Sequence, residues 1–215
     1  MDEGRAPGNG ALSRSRKPTP AERRDERGAV DDVATVLDAA ARFLEARSRS
    51  EAEVRQKLAR LGYRSELIEE AIGRLHTLHY LDDEAFARSW VESRDRSRPR
   101  GEHALRLELG RKGVDRETVD TVIEERRDAA ATFAEAAGDL VPDNADEAAA
   151  ERLLDRKRAA LSREPDDRRR MQKAYAMLAR NGFSPGVCSL VARRVVASLG
   201  GSDDGDAGQA PGRDD

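Results

Sequence analysis

One short string recurs three times and limits the fold more than any other feature. It is Leu-x-Arg-x-Gly followed by Tyr, Val or Phe: Leu58-Ala59-Arg60-Leu61-Gly62-Tyr63, Leu109-Gly110-Arg111-Lys112-Gly113-Val114 and Leu178-Ala179-Arg180-Asn181-Gly182-Phe183. Recurrence of this kind marks a repeat architecture. Each leucine has an apolar or small residue four positions earlier (Val54, Leu105, Ala174), which makes one helix stripe. The glycine suits the left-handed position that closes a helix, where a Cβ would cost about 1–2 kcal/mol. Tyr63, Val114 or Phe183 then folds apolar surface back on the last turn. Asp115 and Ser184 stand where the next helix needs an N-cap, with Pro185 at its first position; in the first copy Ser65 is the expected cap.

Apolar periodicity supplies a helix on each side of the string. Preceding helices carry Val33, Val36, Leu37, Ala40 and Leu44, then Phe86, Trp90 and Val91, then Leu153, Leu154 and Leu161. Following helices carry Leu67, Ile68, Ala71, Ile72 and Leu75, then Val119, Val122 and Ile123, then Val187, Cys188, Leu190, Val191 and Val195. The pattern predicts an all-α fold of three tandem three-helix repeats in an elongated, curved array. Units of about 45 residues are near the lower limit for independent folding, so neighbours should pack together. Eight aromatic residues among 215 are too few for a β-sandwich, whereas abundant Ala, Leu, Glu and Arg favour helix.

The marker glycines are 51 and then 69 residues apart. The extra length falls at 128–150, an acidic, Ala-rich block read as a helix extension plus a loop. The expected division is therefore 33–80, 81–127 and 151–198 for the three repeats, with 128–150 as an acidic insertion. Residues 1–32 and 199–215 are expected to be disordered tails, since neither holds enough apolar surface to offset ordering entropy. No apolar run is long enough to span a membrane, and the first residues lack the apolar core of a signal peptide. The single cysteine, Cys188, excludes an internal disulfide and points to a reducing cytoplasm.

No catalytic constellation emerges. Phosphate-loop and dinucleotide fingerprints are missing. His76 and His79 lack further ligands for zinc, and Cys188 on an apolar helix face reads as an inert buried thiol. In Asp82-Asp83-Glu84, Asp82 or Asp83 is expected to cap the following helix rather than bind metal. Phe86 and Trp90 read as core, not as a base-stacking platform. Neither an enzyme nor a cofactor is indicated.

Charge is more informative. A net charge of −3 hides oppositely charged blocks: 128–150 holds six acidic and no basic residues, whereas 151–198 holds twelve basic and five acidic. Arg outnumbers Lys 34 to 5, which suits bidentate contact with carboxylate or phosphate and equally reflects GC-rich coding. Arg88, Arg94, Arg96, Arg98, Arg100, Arg106, Arg111 and Lys112 crowd unit two, and Arg156, Lys157, Arg158, Arg168, Arg169, Arg170 and Lys173 crowd unit three. Stacking would align them into a basic edge for phosphate or an acidic protein surface. A solvated face crossed by weak ion pairs is the bland alternative. A helix-turn-helix reader is disfavoured, because the last helices of units one and two carry Glu66, Glu69, Glu70, Asp120, Glu124 and Glu125.

These residues resemble a known family. Ala41-Arg42-Phe43-Leu44, Arg49 to Val54, Leu58 to Tyr63 and Tyr80-Leu81-Asp82-Asp83-Glu84-Ala85-Phe86-Ala87 are similar to the RecX regulatory proteins. Leu109 to Val114 and Arg180-Asn181-Gly182-Phe183-Ser184 continue the resemblance, over about residues 35–198. It implies a non-catalytic cytoplasmic modulator of the recombinase RecA in recombination, DNA repair and the SOS response. Such a protein binds the RecA–DNA filament and lowers ATP hydrolysis, strand exchange and co-protease action. The implied partner is thus RecA on DNA, with a weak direct DNA contact, no membrane, and a monomeric chain. A sequence-independent nucleic-acid binder is the alternative.

Overall fold

The structure, a computed structural model, describes residues 19–137 and 144–200. Eleven helices occupy them: α1 (Pro20–Gly28), α2 (Val33–Glu45), α3 (Glu51–Leu61), α4 (Ser65–Thr77), α5 (Asp83–Ser97), α6 (Glu102–Arg111), α7 (Arg116–Ala137), α8 (Ala145–Asp155), α9 (Arg158–Ser162), α10 (Asp167–Arg180) and α11 (Pro185–Gly200). Unit one is α2–α4, unit two α5–α7, and unit three α8, α10 and α11 with the short α9 inserted.

The recurrent string behaves as its chemistry requires. Gly62, Gly113 and Gly182 have φ of +102°, +81° and +83°. After each, the backbone N–H of Tyr63, Val114 or Phe183 donates to the carbonyl of Leu58, Leu109 or Leu178 at 3.2–3.4 Å. Each middle helix is closed by one and the same backbone device. Its leucine is fully buried in all three copies.

Starts are set by side-chain caps. Asp32 accepts from the N–H groups of Ala34 and Thr35, Ser50 from Glu53, Asp82 from Ala85, and Asp166 from Arg169. Asp115 accepts from Thr118, and Ser184 from Val187. Ser65 is not the cap of α4: Arg64 holds that position without a side-chain bond, and the Ser65 hydroxyl turns to Glu66. The one-residue displacement puts Ser65 inside the helix.

Three apolar cores form, one per unit. Val36, Ala40, Val54, Leu58, Ile68 and Leu75 anchor the first, and Phe86, Leu105, Leu109 and Ile123 the second. Leu154, Leu161, Leu178, Cys188 and Val191 anchor the third.

Two features differ from the sequence reading. Residues 20–28, placed in a disordered tail, form α1, with a reciprocal capping box between Thr19 and Glu22 and Pro20 at its first position. No α1 side chain is buried, which is why apolar periodicity did not reveal it. The expected boundary at 150/151 cuts through α8, which starts at Ala145 and contributes the fully buried Ala149 and Ala150. Alanines supply that face, and a search for large apolar residues passes over them. The loop expected within 128–150 falls partly on 138–143, outside the described residues.

Neighbouring units meet through the marker glycines. A Cβ on Gly113 would lie 2.2 Å from that of Ala52 in the first turn of α3, and one on Gly182 would lie 2.4 Å from that of Ala104 in the first turn of α6. Each unit's glycine thus abuts the start of the preceding unit's middle helix. Gly62, in the first of the described units, abuts Arg24 of α1. At the other end α10 has 14 residues against 11 in α3 and 10 in α6, so Arg168 and Arg169 occupy an additional first turn.

Candidate partner interface

The fifteen basic candidates project from α5, α6 and the turn between them, and from α8 to α10. Fixed donors compete for nearby carboxylates, so the decisive question is which cations keep their charge available.

Most do not. Arg88 pairs with Glu84 and, through two bonds of 2.8 Å, with Glu125. Arg94 donates to Glu108 at 2.6 Å and lies 4.2 Å from the Trp90 ring centroid. Arg100 contacts Glu108 at 3.4 Å and donates to Asn181 in unit three. Arg106 pairs with Glu102 and Asp120. Lys112 reaches Glu53 of unit one at 2.7 Å. Arg156 donates to the backbone carbonyls of Ser97 and, at 2.6 Å, Arg96. Arg158 lies 3.7 Å from Asp155 and donates to Ser198. Arg170 is buried, bonded to the Glu164 carbonyl and to Asp167, and Lys173 pairs with the Glu164 carboxylate.

Several of these groups join units. At the first joint the Ser50 hydroxyl donates to the Lys112 carbonyl at 2.5 Å, Lys112 pairs with Glu53, and the Glu51 N–H donates to Asp83 at 2.8 Å. At the second, the Gly101 N–H donates to the Asn181 carbonyl at 3.0 Å beside the Arg100–Asn181 bond. There Arg126, 7% exposed, bridges Asp95 of α5 at 2.9 Å and Asp146 of α8 at 2.7 Å. Asp146 also accepts the Glu102 N–H at 3.1 Å. Burial pushes the Asp146 carboxyl up despite Arg126, and Asp95 and Asp146 together hold the guanidinium more firmly protonated than usual although burial opposes it. A buried bridge of this kind is sensitive to loss of any member.

Sequence reasoning missed Arg126, Asp95, Asp146 and Asn181. Their partners are 20 to 81 residues away, so no local spacing could expose them; only the glycine repeat hinted that the joints recur.

Among the described residues, six candidates retain exposed, unpaired heads: Arg96, Arg98, Arg111, Lys157, Arg168 and Arg169. Arg168 and Arg169 stand on the extra turn of α10, and Arg111 next to Lys112 at the first joint. Arg96, Arg98 and Lys157 gather at the second joint, because Arg156 ties residues 156–158 to the end of α5. The basic candidates are therefore not one continuous edge; they separate into joint-forming and unpaired groups.

Other candidates have settled roles. Phe86 is buried, and Trp90 has Arg94 and Lys112 over its ring at 4.2 and 4.9 Å, with its indole N–H donating to Glu108 at 2.9 Å. Cys188 is buried, its thiol facing the Phe183 carbonyl, and burial pushes that thiol up. His76 sits 2.5 Å from Glu51. Among the described residues no group of three or more His, Cys, Asp and Glu could hold a metal, and no helix is long and apolar enough to cross a membrane.

Comparison with known proteins matches each unit separately. Residues 37–75, 82–123 and 145–191 match the first, second and third three-helix domains of RecX. The regulatory protein RecX of Mycobacterium ulcerans is 34% identical over 160 residues, covering 73% of this chain and 82% of that protein. That of Prosthecochloris aestuarii is 40% identical over 99 residues, 46% of this chain and 66% of the relative. Among solved structures, RecX from Lactobacillus salivarius superposes with a TM-score of 0.61 at 21% identity, over 77% of this chain and 97% of that one.

Proposed function

The chain belongs to the RecX family of regulatory proteins, and on that footing we propose that it binds the RecA–DNA filament in the cytoplasm and lowers RecA activity. The observation that carries this reading is the set of unpaired cations. Arg111, the Arg96–Arg98–Lys157 group and the Arg168–Arg169 pair lie at successive places along the array. A filament presents repeated anionic surface, and an array with three separate cation groups along units two and three can meet it at several points. Each contact is weak, but linked contacts multiply through effective concentration. The cations tied into ion pairs and joints hold the units in register for such binding. Inhibition then follows from occupying surface that the filament needs for extension and strand exchange.

The proposal is tested by RecA ATP hydrolysis driven by single-stranded DNA at constant ionic strength, with and without this protein. Inhibition that survives saturation of the DNA by RecA beforehand supports docking on the filament. Inhibition that vanishes under that condition overturns it in favour of a sequence-independent DNA binder that competes for free strand.

A further inference from the structure

The middle helix of units one and two has a face that receives the next unit. At the first joint Glu53 of α3 binds Lys112 of unit two, and at the second Arg100, just before α6, donates to Asn181 of unit three. Glu53 stands nine residues before its marker glycine, and Arg100 thirteen before its own. The same counts back from Gly182 give Lys173 and Arg169. Both line a groove of about 680 Å³ between α9 and α10. Its apolar floor is made by Leu161 of α9 with Ala176 and Met177 of α10. Arg169, Lys173, Ala176 and Arg180 follow one stripe of α10, so the groove runs about three turns, or roughly 16 Å.

The charge of this face is inverted relative to the first joint. Glu53 takes a cation, whereas Lys173 in its place is itself a cation and stands between Arg169 and Arg180 along the helix. Among the described residues Glu164 is the one acid lining the groove, and Lys173 already holds its carboxylate at 2.7 Å. Arg169 and Arg180 are exposed and have no side-chain partner among the described residues. An apolar floor between two unpaired guanidinium groups selects its ligand. A nucleic-acid backbone would meet the charges and leave the floor uncovered. A peptide bearing both carboxylates and apolar side chains satisfies the two together. A second copy of the chain fits poorly, since the glycine turn it would bring, at Gly62, already abuts Arg24 of α1.

We propose that the α9–α10 groove docks an acidic peptide segment of a protein partner, its apolar side chains on Leu161, Ala176 and Met177 and its carboxylates on Arg169 and Arg180. This rests on the reading of unit three as a partner contact and gives that contact a protein ligand rather than DNA. Single exposed ion pairs contribute little, so the apolar floor supplies the attraction and the two arginines set charge preference and register. The unbranched Met177 side chain adapts to the apolar group it meets.

The test uses the full-length protein carrying carbon-13 in its methionine methyl groups, of which Met177 is assigned by Met177→Leu. The probe is a synthetic decapeptide of glutamate with leucine at every third or fourth position, long enough as a helix to span the groove. It is expected to shift the Met177 methyl saturably at low salt. Arg169→Glu with Arg180→Glu should weaken that binding about tenfold, with helicity by circular dichroism retained. A peptide with lysine for glutamate should then bind the doubly altered protein better than the unaltered one. Ala176→Gln, which removes apolar floor without changing charge, should weaken the acidic peptide about threefold. No Met177 shift at millimolar peptide overturns the proposal, as does binding indifferent to the charge reversal. Decaglutamate or oligothymidine shifting Met177 as strongly would mean that charge alone is read there, and a Met177 shift on diluting the protein without peptide would mean that a second copy occupies the face; either outcome also overturns it. Filament docking stands or falls on the ATP-hydrolysis measurement, and the groove on the Met177 methyl.

Discussion

Inside a unit the chain is held by leucine, isoleucine and valine; between units it is held by arginine, aspartate and glycine. The three cores share no residue, and each marker leucine is fully buried within its own unit. The joints instead combine backbone hydrogen bonds, Lys112–Glu53, Arg100–Asn181 and the Arg126 bridge with one close glycine contact apiece. Apolar burial is non-directional and strong, so it stabilises a unit without fixing what stands beside it. Hydrogen bonds and glycine contacts are directional and modest, so they set orientation at small cost to break. The array is built of apolar units set in register by directional joints.

The largest expected contrast comes from a core substitution. Leu178→Ala should destabilise unit three by about 4 kcal/mol, since a buried leucine truncated to alanine loses transfer energy and leaves a cavity. Urea unfolding followed by amide exchange should show loss of protection in α10 and α11 while α2–α4 stay protected. Simultaneous loss of protection in unit one would show that the cores are not independent.

A smaller effect is expected at the joint. Gly101 has φ of −73°, ordinary for any residue, yet a Cβ there would sit 2.3 Å from the Gly182 carbonyl oxygen. Gly101→Ala therefore adds no local backbone strain and acts only across the joint, at about 2 kcal/mol for overpacking. The three units should remain helical by circular dichroism while the Gly101 amide, bonded to Asn181, exchanges faster. Unchanged exchange would mean that the glycine contact does not orient the units.

The smallest effect separates the two joints by pH. At the first, Glu53 lies below the ordinary 4.5: burial would raise it, but Lys112 of unit two and Arg47 outweigh that. Its contribution is present above pH 4.5 and is lost as pH falls through its lower folded value. Asp83, raised by burial, partly offsets it. At the second joint Asp146 is raised by burial, so its contribution is present below the ordinary 3.8 and lost as pH rises through its folded value. Acid should therefore loosen the first joint before the second. Trp90, the single tryptophan and a neighbour of Lys112, reports the first by fluorescence; the Gly101 amide reports the second. Both loosening together would contradict the assignment.

The sequence was most readable where structure depends on neighbours in the chain. Leucine stripe, left-handed glycine and capping Asp115 and Ser184 all act within a few residues, and each stands where its chemistry put it. Arg94, Arg100 and Lys112 looked like available charge because their partners, Glu108, Asn181 and Glu53, lie on other helices. Charge density in a sequence cannot separate a cation that binds a partner from one that binds its own fold. Arg100 shows the consequence: reversing it along with Arg96 and Arg98 would damage the second joint as well as the surface, so a clean test of the surface leaves Arg100 intact.

The α10 face has a further consequence. Counted back from the marker glycine, the places of Ala52 and Ala104 fall in α10 on Gln172 and Lys173, so a further module's glycine would meet a long polar side chain there rather than an alanine methyl. At the opposite end α1 already covers Gly62. A further unit, or a second copy, set against α10 or Gly62 would therefore need a joint of different chemistry from the two that link the described units.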